Sequence, residues 1–384
     1  MVCRRALYFP IAGQARWQHK TQRARLLKLL GGNEVRHIPT HAAAATRSLP
    51  ACTLRSARPS QLVLRTEDDR NVHCVWIEHS PERARNPRAP PSTAPSEADT
   101  PIDTPVVLLM HANAMVLDDM VDWAQFYGSL GCSVMLLTFW GFPDPNEHEP
   151  NEHDEPSASA SAESSSLLGQ TPPGERSPSE RGMYLDAEAA LRYVQQVRRC
   201  PIERTLAHGL SIGGACAASL GVQHPGLRVT FDQSFASLAE VSLHVGRGLY
   251  DQVLVSRAPR SLHSVVRCLQ PVLLRMAVFV LLRMVFKTGK GGPALCAQDR
   301  MDNVRKAAAI KGDVFAIFAE HDEMMHPDIA RRILLARYGR KASAELLRSR
   351  MLCVPGGHCC FFGDVPELAH KYASYLHTSG FLTP

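Results

Sequence analysis

A five-residue pattern, Gly209-Leu-Ser-Ile-Gly213, constrains this chain more than any other feature. Before it, Arg204-Thr-Leu-Ala-His208 alternates as a short buried strand does. After it, Gly214-Ala-Cys-Ala-Ala-Ser-Leu220 is small enough for a closely packed helix. Strand, turn and helix in that order are the context of a nucleophile elbow. Bulk two residues either side of the serine would clash, and Gly209 and Gly213 remove it. The turn lifts the Ser211 hydroxyl clear of the sheet, at a helix N-terminus whose N–H groups favour negative charge.

A serine hydroxyl is a poor nucleophile unless a base takes its proton, and a third group must orient that base. For an elbow of this kind the chain order is serine, acid, histidine. Asp322 follows the apolar run Val314–Ala319, and His358 follows Met351-Leu-Cys-Val-Pro-Gly-Gly357. The separations of 111 and 36 residues leave room for an insertion and then one helix–strand unit. Asp232, at the end of Leu227-Arg-Val-Thr-Phe231, is the reserve acid; His321 and His326 read as loop residues. The tetrahedral oxyanion needs two fixed N–H donors. Ile212, immediately after the nucleophile, supplies one. Asn113, in the loop after the buried strand Pro105–Met110, is the candidate for the other.

The surrounding pattern is α/β. Gln61–Arg65 and Asn71–Glu78 read as antiparallel strands joined by Glu67–Arg70. Pro105–Met110 and Cys132–Thr138 are apolar throughout, as strands buried on both faces are. A helix is expected over Leu117–Leu130. Over Met183–Arg198, apolar residues at Ala187, Ala190, Leu191, Val194 and Val197 make one helical face. Helices over Ile329–Tyr338 and Pro366–Thr378 alternate with strands Val314–Ala319 and Arg350–Val354.

Charge divides the chain into unlike parts. Residues 1–60 carry eleven Lys/Arg against Glu34, and residues 244–290 carry eight against Asp251, on a protein whose net charge is only +6. The remainder is therefore acidic. The basic arm, 1–60, has three competing readings: a membrane-surface helix over Gln22–Leu30, a mitochondrial transit peptide, or a solvated arm packed on the domain. Two basic, partly apolar stretches imply contact with an anionic surface, and the absence of a nucleic-acid module argues against nucleic acid. Eleven scattered cysteines without C-x-x-C pairs fit a reduced compartment and no zinc site. Cytoplasmic placement, peripheral at a membrane, follows as an expectation.

Between the α/β parts 61–143 and 177–384 lies an acidic insertion, 144–176. It holds a near-repeat, Pro145-Asn-Glu-His-Glu and Pro150-Asn-Glu-His-Asp, then Ser/Ala-rich chain. Such composition buries too little apolar area to offset ordering entropy, so disorder is expected, and a solvated linker outweighs weak metal binding by its histidines. Long surface loops cost little closure entropy. Replacing 144–176 with a short Gly/Ser linker is therefore expected to leave ester turnover within a few-fold. Loss of soluble protein on replacement would show that the segment packs.

With these residues assembled, a resemblance emerges. His111-Ala-Asn-Ala resembles the His-Gly-Asn-Ala oxyanion segment of the Bem-type α/β-hydrolase-domain serine hydrolases, relatives of prolyl-oligopeptidase-like peptidases that include palmitoyl-protein thioesterases. Ser177-Pro-Ser-Glu-Arg-Gly-Met-Tyr-Leu-Asp-Ala187 is similar to their helix start, Gly209–Gly213 to their elbow, and Asp322-Glu323 and Gly357-His358 to their acid and base segments. The resemblance covers residues 60–378. It implies an α/β-hydrolase fold with a mostly parallel central sheet flanked by helices and a helical lid insertion, here 240–300. It also implies an acyl-enzyme mechanism without metal or organic cofactor, on an acyl-bearing small molecule, lipid, or acylated protein or peptide. Ala112 in place of glycine, Phe139-Trp-Gly-Phe142, the long insertion and the lack of an N-terminal cysteine cluster depart from the family pattern. The competing class is a catalytically inactive binding module at a membrane surface.

Within 240–300, the apolar run Ser264–Phe286 is interrupted by Arg267, Arg275 and Arg283. These charges argue against a membrane span. A lid helix over the acyl pocket is the favoured reading and an interfacial helix the other.

Overall fold

The computed structural model describes residues 57–79, 101–113, 115, 117–142, 179–285 and 300–382. Residues 1–56 of the basic arm, residues 80–100, the acidic insertion and residues 286–299 of the 240–300 insertion lie outside the described residues. Eight strands form one sheet: β1 (Ala57–Arg65), β2 (Asn71–His79), β3 (Val106–Met110), β4 (Ser133–Leu137), β5 (Thr205–Leu210), β6 (Arg228–Asp232), β7 (Val314–Ala319) and β8 (Met351–Val354). Their spatial order is β1-β2-β4-β3-β5-β6-β7-β8. β2 runs antiparallel to β1 and β4, and every pairing from β4 through β8 is parallel. β1 opens at Ala57, four residues before the expected start, so the arm is shorter than its charge suggests.

β3 shows why its sequence is apolar throughout. Val106, Leu108 and Met110 pack into the core on one face of the sheet, Val107 and Leu109 into the core on the other. Alternation across a pleat with helices on both sides demands apolar residues at every position. One face carries α2 (Glu180–Arg192), α3 (Gly213–Gln223), α6 (Asn303–Ala309) and α7 (Asp328–Tyr338). The other carries α1 (Val121–Ser129) and α9 (Pro366–Thr378). This is the α/β-hydrolase fold.

α2 begins three residues before its expected start because Ser179 caps it, its Oγ accepting from Gly182 N at 3.0 Å. Of the expected face, Ala187, Ala190 and Leu191 of α2 and Val194 in the wider turn that follows it are in the core, while Val197 is half-buried. The family-like residues of this helix act as clamps. Glu180 accepts from Met301 N at 3.0 Å and pairs with Lys306 at 3.3 Å. Asp186, fully buried, accepts from Trp140 N at 2.8 Å and lies 3.3 Å from Arg70. They fix the turn after β4 and the start of α6 against the sheet. Burial pushes the Asp186 carboxyl up to about 7, against the pull of Arg70.

Between β6 and β7 the insertion forms α4 (Leu238–Tyr250) and α5 (His263–Val285), with Pro271 inside the latter. α5 packs on α4 through Leu274, which joins Tyr250 and Val255, while Tyr250 Oη donates to Val266 O at 2.8 Å. Among the described residues, the buried apolar contacts of this helix are with Tyr250 and Val255. Its apolar side chains Val265, Leu269, Val272 and Met276 are exposed. This apolar stripe faces away from the domain.

Candidate active site

Three loops at the C-terminal edge of the parallel strands converge. Ser211 follows β5, Asp322 follows β7 and His358 follows β8. His358 Nε2 lies 3.0 Å from Ser211 Oγ, and His358 Nδ1 lies 2.9 Å from Asp322 Oδ2. The second oxygen of Asp322 accepts from Met324 N at 2.9 Å and Met325 N at 2.8 Å, which fixes the carboxylate. Its side chain is 2% exposed and that of His358 10%.

Ser211 sits at φ +51°, the left-handed region, where a non-glycine residue costs about 1–3 kcal/mol. Local bonds hold it there. Ser211 N donates to Asp232 O at 2.8 Å, and Ser211 O accepts from Ser234 Oγ at 2.7 Å and Gly214 N at 3.1 Å. The flanking glycines are required by contact. A Cβ on Gly209 would stand 2.2 Å from Gly213 O, and one on Gly213 would stand 2.3 Å from Met110 O and 3.0 Å from His111 O. The same closeness brings the start of α3, with Ile212 as its N-cap, against the turn after β3 that carries Asn113.

That turn is well buried. The Ala112 methyl belongs to the core on the α1/α9 face. His111 packs on Phe139 and Phe142 at ring distances of 4.8 and 5.2 Å. Burial drives its imidazole down to about 4, so it stays neutral and acts as a packing ring.

Asp232, the reserve acid, is not beside His358. It is the hub of a buried network beneath the elbow, accepting from Trp123 Nε1 at 2.9 Å and Gln233 Nε2 at 3.0 Å, with His208 Nε2 at 3.1 Å. His208 Nδ1 continues to Tyr127 Oη at 2.7 Å, then to Tyr372 Oη at 2.8 Å and Thr230 Oγ1 at 2.7 Å. The sequence reading misses Gln233. Its backbone is left-handed, at φ +46°, and its Nε2 also donates to Cys360 O at 2.8 Å, tying the histidine loop to the end of β6. Glu323, named above only as the neighbour of Asp322, accepts through Oε2 from His358 N at 3.3 Å.

Ser211 Oγ, His358 and Asp322 thus form one hydrogen-bonded chain. No protein-family model matches this sequence, and no curated protein matches it. Among solved structures it is similar to an esterase of Pyrococcus furiosus, with TM-score 0.48 and 11% identity over 90% of this chain and 98% of that one. It is also similar to a puromycin-hydrolyzing peptidase of Mycobacterium tuberculosis, with TM-score 0.48 and 17% identity over 88% of this chain and 42% of that one. An acylaminoacyl peptidase of Pyrococcus horikoshii gives TM-score 0.45 and 10% identity over 85% of this chain and 41% of that one.

Burial disfavours the charged form of His358, but the hydrogen bond to Asp322, together with the adjacent Cys359, outweighs it and raises the ring above its ordinary value. A base must be neutral to accept a proton, so kcat/KM is expected to climb with pH through a limb above the usual histidine range. Cys359→Ala removes one of the raising contacts and should move that limb down. A limb at ordinary histidine values that ignores the Cys359 substitution would contradict this account. The raised value also makes the charged His358 a stabilising group below pH 6.5, a contribution lost as pH rises through the folded-state pKa.

Proposed function

We propose that this protein is a serine hydrolase that cleaves an acyl bond, in an ester, thioester or peptide. Ser211 Oγ adds to the carbonyl carbon while its proton passes to His358 Nε2. Asp322 holds the imidazole through Nδ1 and stabilises the imidazolium that forms. The oxyanion is held by the N–H groups of Ile212 and Asn113, each worth roughly 2.7–4 kcal/mol in the transition state. The proton on Nε2 then goes to the leaving group, and the bond to that group breaks. Water, deprotonated by His358, releases the acid from the acyl-enzyme and restores Ser211.

The observation that carries this reading is the unbroken chain from Ser211 Oγ through His358 to Asp322, at 3.0 and 2.9 Å. The motif set at His111–Ala114, Ser179–Asp186 and Gly209–Gly213 supports the finer assignment to the Bem type. A fluorophosphonate probe is expected to label the folded protein, and Ser211→Ala should abolish the labelling. A folded wild-type chain that resists the probe would favour the inactive binding module instead.

A further inference from the structure

We infer that the exposed face of α5 is a docking surface for an anionic lipid membrane. Leu262, Val265, Leu269, Val272, Leu273 and Met276 are each 44–60% exposed. Leu262 lies in the turn before α5; on α5 the spacing places Val265 through Met276 of this set within roughly 100° of one another, running about 17 Å along the helix. The protein-facing line is a separate one, His263, Val266, Gln270 and Leu274. So the stripe is neither core nor contact with α4. One-sided apolar faces of this length mark interaction sites.

Charge selects the occupant. Residues 238–285 contain six arginines and two acids. Both acids are engaged, Glu240 with Arg332 and Asp251 with Gln270. Arg247, Arg257, Arg267 and Arg275 are exposed and, among the described residues, form no ion pair. A second copy of this face would bring like charges together, whereas an anionic bilayer supplies both the apolar layer and the counter-charge. No helix among the described residues is long and apolar enough to cross a membrane, so α5 lies in the interface plane. Arg275 falls at the edge of the stripe, where its stem reaches the headgroups.

The hairpin also touches the candidate active site: His244 Nε2 lies 3.2 Å from Glu323 O, one residue beyond Asp322. If the hydrolase reading holds, docking would present Ser211 to acyl groups at the membrane surface.

Vesicle flotation tests the docking separately from turnover, using the full chain carrying Ser211→Ala. It is expected to float with phosphatidylcholine vesicles containing phosphatidylserine and to leave them in high sodium chloride, which screens the basic contacts. Arg275→Gln should weaken that binding about fivefold. Leu269→Glu with Met276→Glu should weaken it at least tenfold, with the melting temperature unchanged because both side chains are exposed. The inference is overturned if the chain stays soluble with anionic vesicles, if the double variant floats as well as its parent, or if only detergent releases it. A vesicle-free dimer that the same double variant dissociates would assign the face to a second copy and overturn it equally.

Discussion

Ser211→Ala is expected to lower kcat/KM for a short-chain ester by roughly 10⁴–10⁶-fold while leaving the fold intact. In the proposed mechanism the hydroxyl oxygen forms the new bond to the acyl carbon, so its removal leaves no nucleophile. His358→Ala should lose a comparable amount, and the double variant little more, because the two act as one unit. Asp322→Asn keeps the shape but turns an acceptor into a donor toward His358 Nδ1, which favours the wrong tautomer; a loss of roughly 10⁴ is expected. Near-normal turnover by Ser211→Ala would end the hydrolase reading.

Asp232→Asn separates the two candidate acids. Its carboxylate accepts from Trp123 and Gln233 in full burial and lies 3.1 Å from His208 Nε2, so an amide would set one donor against another. An unsatisfied buried donor costs about 1–3 kcal/mol. The expected result is a lower melting temperature with a far smaller loss of kcat than Asp322→Asn shows. If Asp232→Asn is folded and inactive while Asp322→Asn turns over, the acid has been misassigned.

Sequence alone resolves the parts of this molecule that periodicity or chain order governs. The limits of β7 and α9 are readable because each is bounded by turn or proline signals and patterned within. The short helices α6, of seven residues, and α8 (Ala344–Ser349), of six, span too little chain for a period to show. Asp232 ends β6 and Asp322 lies in the loop after β7, and both follow Ser211 in the chain, so their contacts are what tell them apart. Asp232 is sealed under Ser211 by the β5–β6 pairing, whereas Asp322 projects from a loop toward His358. Gln233 is invisible to pattern because its partner, Cys360, is 127 residues away. For α5, the composition shows an apolar, arginine-bearing helix, but which face meets α4 is a matter of packing. That choice leaves the stripe outside.

Gly213→Ala should be a severely damaging conservative substitution outside the proposed reacting groups. The added methyl carbon would sit 2.3 Å from Met110 O, a backbone atom at the end of a central strand fixed on both sides by β4 and β5. No flexible side chain can yield, so either α3 or the turn after β3 must move. Overpacking of this kind costs typically about 1–3 kcal/mol, and a rigid backbone neighbour places it at the upper end or beyond. Movement there also displaces Ile212 or Asn113, so surviving folded protein should have lost most of its turnover. Gly248→Ala is the matched control: it lies in α4, and nothing stands within 4 Å of its would-be Cβ. Alanine there should be neutral or stabilise by about 0.5–1 kcal/mol. Thermal melts and ester turnover of the two variants decide the matter. Equal melting temperatures with full activity for both would mean that the elbow is looser than its contacts require.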